Sequence, residues 1–252
     1  MELKFGQRIF APRLWSLLLT LAAMAGFSWL GVWQLDRGRE KQALITAFER
    51  GSEAPVALDG RALDALPRYQ RVEASGQYQA DRQILLDNMP GANGSAGFRV
   101  LTPLLRPGAS RLLLVDRGWV PLGLSRERLP AVPVDTRWRS VTGKLDGLPV
   151  PGIRVGTAGT PGDASWPRVL NFPRQTDVEQ VLGVPVEPRI LLLDAAQPDG
   201  YERVWRPAMG FPPARHIGYA LQWFAAAITA LVLFISLNLR RSQTGEGIDS
   251  HG

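Results

Sequence analysis

The chain has 252 residues, 45% of them hydrophobic, with 29 Lys and Arg against 23 Asp and Glu, a net charge of +6 and no cysteine. The lack of cysteine excludes disulfides and thiolate ligation of copper or zinc, and with them a Cys-based copper chaperone, a thiol oxidoreductase and c-type haem attachment. The arginines are scattered singly and form no long basic block, so they read as a solvated surface facing anionic lipid and not as a nucleic-acid footprint.

The first element is the run from Leu14 to Leu35, which contains no Lys, Arg, Asp or Glu. It exceeds the roughly 20 residues that carry a helix across about 30 Å of hydrocarbon. Lys4, Arg8 and Arg13 ahead of it and Ala23-Met24-Ala25 within it also fit a secretory signal with a cleavage site. The apolar stretch continues past that site through Phe27, Trp29, Leu30, Val32 and Trp33, which favours an uncleaved anchor. No Arg- and Ser-rich presequence precedes the span, so an organelle transit peptide is not expected. Ala43, Leu44, Ala47 and Phe48 keep helical spacing and extend the helix to Arg50, where Gly51-Ser52 and then Pro55 end it.

From Tyr69 the pattern turns to strands. Gln70–Tyr78 and Arg82–Asn88 read as strands, the second running into the turn signal N-M-P-G-A-N-G. Phe98–Leu105 and Arg111–Val120 flank the turn Arg106-Pro-Gly-Ala-Ser and predict a hairpin. Trp138–Leu145 alternates as another strand, and Pro149–Pro167 is a Gly- and Pro-rich loop. Arg174–Leu182 predicts a short helix stopped by Gly183, Arg189–Ala195 a strand, and Tyr201–Trp205 one more. The expectation is one domain of about six or seven antiparallel strands in a compact barrel or sandwich-like sheet. At roughly 150 residues it is large enough to bury its own core.

The second charge-free run, Ile217 to Leu239, is closed by Arg240-Arg241, and the tail Ser242–Gly252 is polar and expected to be disordered. Cations next to spans stay in the cytoplasm, which places both termini there and the long middle segment outside. The predicted class is a membrane α+β protein: two transmembrane helices bracketing an extracytoplasmic, mainly antiparallel β domain with a few short helices. The boundaries are residues 1–13 for a cytoplasmic N-terminus, 14–35 for the first span, 36–215 for a periplasmic domain, 216–239 for the second span and 240–252 for a cytoplasmic tail. The simplest setting is a bacterial inner membrane.

Enzyme templates find no match. No G-x-S-x-G, Walker A or paired-His zinc motif occurs. Gly91–Gly97 is Gly-rich but precedes a strand, so it reads as a hairpin loop and not a phosphate cradle. The chemistry concentrates instead in Pro213-Ala-Arg-His-Ile-Gly-Tyr-Ala-Leu-Gln-Trp-Phe224, where His216 opens the second span; the other histidine, His251, lies in the tail. A single imidazole is enough to hold haem iron. It serves equally as a contact to a partner subunit or as an interfacial residue among headgroups. Tyr219, Ala220 and Trp223 share its helical face, an aromatic wall that suits a porphyrin or a membrane interface. Gln222, Thr229 and Ser236 form a polar stripe expected to face another helix, with Gly31 and Gln34 of the first span as candidate partners. Arg117 and Trp119, alternate on a strand, either share an exposed face or have Trp119 buried.

Four blocks, in order, resemble the surfeit locus (Surf-one) family of cytochrome c oxidase assembly proteins. They are Leu30-Gly-Val-Trp-Gln-Leu-Asp-Arg37 with Lys41; Leu86-Asp-Asn88 through Gly97 to Val100-Leu-Thr-Pro-Leu104; Leu114-Val-Asp-Arg-Gly-Trp-Val-Pro121; and Pro213 to Phe224. Asp116 stands where the family often has Asn. The resemblance spans about Leu14 to Arg241 and implies an assembly factor, not an enzyme, that binds haem a and aids its insertion into the largest oxidase subunit. It matches His216 to the family's haem a histidine, the sole metal ligand expected. Trp223 and Tyr219 would flank the ring, Trp33 would close the site, and Arg117, Arg37 or Arg215 would pair with propionates. Implied partners are the largest oxidase subunit, haem a synthase and membrane lipid, with no nucleic acid. The alternative is a cofactor-free membrane scaffold that shelters an oxidase assembly intermediate.

Overall fold

The computed structural model describes residues 3–5, 8–50, 54–58, 63–123, 128–150, 165–207 and 210–241. In chain order these form β1 (Leu3–Phe5), β2 (Arg8–Phe10), α1 (Leu14–Arg50), β3 (Val56–Ala57), a single 3-10 turn (Leu63–Ala65), β4 (Arg71–Tyr78), β5 (Ile84–Pro90), β6 (Ala96–Leu105), β7 (Leu112–Pro121), β8 (Trp138–Asp146), β9 (Arg168–Leu170), α2 (Gln175–Leu182), β10 (Val186–Leu193), α3 (Pro213–Asn238) and β11 (Leu239–Arg241). They divide into two compact units, Met1–Ile45 with Ala208–Gly252, and Thr46–Pro207. The tail from Ser242 and most of the Pro149–Pro167 loop lie outside the described residues.

In the first unit α1 and α3 are both long and apolar enough to cross a membrane. α1 continues unbroken from the apolar run through Arg50, following the helical spacing of its polar continuation. α3 begins at Pro213, three residues ahead of His216, because proline at the first helical position has no N–H to lose and a preset φ. The start of α1 and the end of α3 meet. β2 pairs antiparallel with both β1 and β11, and the Ala11 N–H donates to the Asn238 carbonyl at 3.1 Å. The two helices therefore run antiparallel, with the start of α1 and the end of α3 on one side.

The second unit is a mixed sheet in the order β3-β4-β8-β10-β7-β6-β5-β9 among the described residues. A further pairing of β4 with β6 (Gln77 opposite Leu105, Tyr78 opposite Leu104) closes β4, β8, β10, β7 and β6 into a ring, the barrel option of the sequence reading. The sheet is mainly antiparallel, as expected, but not wholly so: β10 runs parallel to β7, β3 to β4 and β9 to β5. The β10 case has a local cause. A parallel neighbour requires a crossover, and α2 with its connections supplies the reversal that a short hairpin cannot. α2 is bounded by local chemistry: Asp177 accepts the Arg174 N–H at 2.7 Å, and Gly183 takes the left-handed cap at φ 70°. β9 was not predicted, being only three residues long in a Pro-flanked loop. Tyr201–Trp205 is not a strand; it contributes a single bridge, Glu202 to Trp119. One core cluster packs Leu104, Leu113, Val115, Leu145, Leu191 and Leu193 together, and another packs Leu114, Ile190 and Leu192 against Val178 and Leu182 of α2.

Candidate functional site at the start of the second long helix

α1 offers α3 the residues Phe27, Gly31, Gln34 and Gly38, spaced by four, three and four, which keeps them on one helical face. Phe27 stacks on Trp223 with ring centroids 5.8 Å apart. Gly31 is buried against the Phe224 ring, where a Cβ would come within 2.6 Å, so only glycine lets the backbones approach. Gln34 Oε1 lies 2.8 Å from His216 Nδ1. Gly38 sits beside His216 Cβ and the Pro213 carbonyl. On α3, Ala220 and Ala227 are buried along the same seam. The expected partnership through Gly31 and Gln34 is thus present.

The polar stripe is placed differently from expectation. Gln222, Thr229 and Ser236 are exposed on the outer side of α3. Small residues and aromatic rings form the seam, and Thr229 satisfies its hydroxyl by donating to the Ala225 carbonyl at 2.8 Å, so it needs no partner helix.

The imidazole of His216 is held at one nitrogen and open at the other. The carbonyl oxygen of Gln34 only accepts, so Nδ1 donates to it, and in the neutral ring that tautomer leaves the lone pair on Nε2. Nε2 is buried and lacks a hydrogen-bond partner among the described residues. A buried polar atom without a partner costs about 1–3 kcal/mol, so an electron-pair acceptor at Nε2 would relieve a standing penalty. An imidazole fixed at one nitrogen and lone-pair-bearing at the other is the arrangement in which histidine ligates metals. Among the described residues no three His, Cys, Asp or Glu side chains gather as a metal site.

The other predicted site residues are distributed unevenly. Trp223 is half-buried on the seam, while Tyr219 is 40% and Trp33 42% exposed. Arg37 lies 5.8 Å from the Trp33 ring and pairs with Glu40 at 2.9 Å. Arg215 is exposed, its guanidinium 4.6 Å from the Phe211 ring. The pairing of Gln34 with His216 and the role of Phe27 under Trp223 escaped the sequence reading. A lone Gln in a charge-free run was the available signal for the first.

Arg117 belongs to the second unit and is enclosed there. Its Nε donates to the Asp199 carbonyl at 2.7 Å, and its terminal nitrogens to Gln83 Oε1 at 2.9 Å and the Pro133 carbonyl at 3.0 Å. Tyr201 covers the guanidinium at 5.0 Å. Burial pulls the Arg117 pKa down, while the nearby Tyr201, Tyr78 and Asp199 oppose it. Gly118, at φ 113°, and a register shift between Arg99 and Leu101 break the alternation, so Arg117 and Trp119 do not share an exposed face. Trp119 is half-buried, and its indole N–H donates to the Met89 carbonyl at 2.8 Å. Asp116 is fully enclosed, pairs with Arg99 and accepts the Gly118 N–H at 3.0 Å; burial still raises its carboxyl pKa above the ordinary value. The Asp-Arg-Gly-Trp block is therefore a folding device as the structure stands.

Two membrane-length helices flanking a mostly β unit, with a histidine on the helix seam, define the class of protein. The SURF1 family model matches residues 21–228, and the chain belongs to the SURF1 family. It is similar to a SURF1-like protein of Rickettsia conorii, 22% identical over 210 residues covering 82% of this chain and 84% of the relative. It is also similar to Surfeit locus protein 1 of Takifugu rubripes, 30% identical over 124 residues, 42% of this chain and 50% of the relative. A SURF1-like protein of Monosiga brevicollis is 30% identical over 122 residues, 42% of this chain and 44% of the relative.

Proposed function

We propose that this chain is an assembly factor for haem-copper cytochrome c oxidase that holds haem a on His216 and passes it to the largest oxidase subunit. Membership of the SURF1 family supports the assembly role. The observation that carries the haem reading is the pairing of a fixed Nδ1 with a buried, unpartnered Nε2. In the proposed role haem a is cargo, and its iron would accept the Nε2 lone pair as one axial bond. Gln34 orients the ring and keeps the proton on Nδ1. Trp223, braced by Phe27, and Tyr219 offer flat aromatic faces, and Trp33 adds one from α1. Arg215 and Arg37 are exposed and within solvent's reach of propionates, Arg37 by exchanging its pairing with Glu40; Arg117 would do so only by surrendering its internal acceptors. Because Nε2 is enclosed, loading requires neighbouring side chains to part, which suits a carrier that must also release. In the proposed topology both termini are cytoplasmic, the β unit is periplasmic and the membrane is the bacterial inner membrane.

A cofactor-free scaffold is the second reading, favoured by the exposed polar stripe Gln222, Thr229 and Ser236, which suits a partner's membrane helix. Purification of the oxidase complex from cells unable to make haem a separates the two. Co-purification independent of haem a supports the scaffold. Strict dependence on haem a, together with loss of haem by His216→Ala, supports the carrier.

A further inference from the structure

At the opposite end of the helix pair from His216 lies a cavity of about 480 Å³. Arg13 stands at it with Leu19, Ala23, Leu233, Phe234 and Leu237 among the wall residues. From His216 to Phe234 is eighteen residues of helix, roughly 27 Å at about 1.5 Å per residue. The polar side chains in the wall are already spent on the backbone. Ser16 donates to the Arg13 carbonyl, Thr20 to the Ser16 carbonyl and Asn238 to the Phe234 carbonyl, at 2.8, 2.8 and 2.7 Å. What the cavity presents is therefore mostly apolar, with one cation. Arg13 is exposed and has no ion pair among the described residues.

A second, independent feature lies beside it. β2 and β11 follow directly from the helix ends, and their register sets Arg8 opposite Arg241 and Ile9 opposite both Lys4 and Arg240. Four basic positions thus share one small sheet at the helix ends, and one pair of them, Arg8 and Arg241, stands directly opposite in register, where like charges disfavour each other. A groove of this volume holds about sixteen groups of water or methylene size, enough for one acyl chain. It is too small for a helix about 10 Å across.

We propose that the helix pair binds one anionic phospholipid here, an acyl chain in the cavity and the phosphate at Arg13 and the basic strand ends. The inference rests on the helices spanning a membrane, with this end at a headgroup layer, and is independent of the haem reading. The test uses delipidated full-length protein in detergent, offered phosphatidylglycerol or phosphatidylcholine, with bound lipid counted by native mass spectrometry. One retained phosphatidylglycerol, favoured over phosphatidylcholine, is expected. Arg13→Gln, at an exposed site that leaves the fold intact, should lower that preference about fivefold. Ala23→Phe, which fills the cavity, should lower retention of both lipids. Equal retention of the two lipids, an unchanged preference in Arg13→Gln, or occupation of the groove by a second copy of the chain would overturn the proposal.

Discussion

Arg117→Met tests whether the most enclosed cation in the β unit is a structural tie. The substitution keeps much of the aliphatic stem but removes the guanidinium. It strands the Asp199 and Pro133 carbonyls, which accept at 2.7 and 3.0 Å, and takes one of the donors from Gln83 Oε1. Gln83 keeps the Thr102 hydroxyl, which donates at 2.9 Å, so its carbonyl is not orphaned. Hydrogen bonds to a charged group contribute about 1.5–3 kcal/mol each, non-additively, and large single-site losses of about 3–5 kcal/mol come from broken buried networks. Part of the gross loss is returned because the guanidinium no longer has to be desolvated. The expected net loss is about 3 kcal/mol, or roughly 6–12 °C in melting temperature for a unit of about 160 residues. Full-length protein in detergent, followed by tryptophan fluorescence during heating, reads this directly. His216→Ala should melt like the parent in the same assay. A melting point for Arg117→Met within about 2 °C of the parent would refute the reasoning.

Three further outcomes follow from the geometry. Asp116→Asn keeps an acceptor for the Gly118 N–H and removes a carboxyl whose pKa burial raises above the ordinary carboxylate value. A raised carboxyl pKa makes the folded state the better proton binder, so Asp116 contributes most below the unfolded value and less as pH rises through the folded one. The urea midpoint of the variant should therefore gain on the parent from about pH 4 to about pH 7, and a constant difference would contradict the assignment. Gly31→Leu forces a side chain into the Phe224 ring and should cost about 1–3 kcal/mol, whereas Gly38→Ala, whose Cβ would lie 3.4 Å from His216 Cβ, should be near neutral; thermal unfolding in detergent ranks them. Gln34→Leu removes the acceptor at Nδ1, so it should cost about 1–3 kcal/mol of stability and weaken iron binding about 10–100-fold, as thermal unfolding and a haem a titration would read.

Charge-free runs made both long helices legible, because membrane length in apolar residues is a strong signal. Alternation and turn chemistry exposed the β4, β6–β7 and β8 strands and the Gly183 stop of α2. The position of β10 between β7 and β8 was not legible, since a long-range parallel partner leaves no local mark beyond the crossover. The inward turn of Arg117 was hidden for a related reason: one glycine at positive φ reverses the facing that strict alternation predicts. On α3, heptad spacing found a polar stripe and assigned it to the wrong face. Packing space decided that contest: glycine and alanine permit close backbones, and Thr229 can satisfy itself. His216 was legible as a lone imidazole, but the state of its two nitrogens depends on Gln34, which lies 182 residues away in sequence.

The central claim is that His216 Nε2 binds the iron of haem a. Absorption titration of full-length, detergent-solubilised protein with haem a, run beside folded His216→Ala, tests it most directly. The account predicts a saturable spectral change of histidine-ligated haem at one haem per chain in the parent, weakened in Gln34→Leu and lost in His216→Ala. An identical spectrum and identical occupancy in the parent and His216→Ala would contradict it.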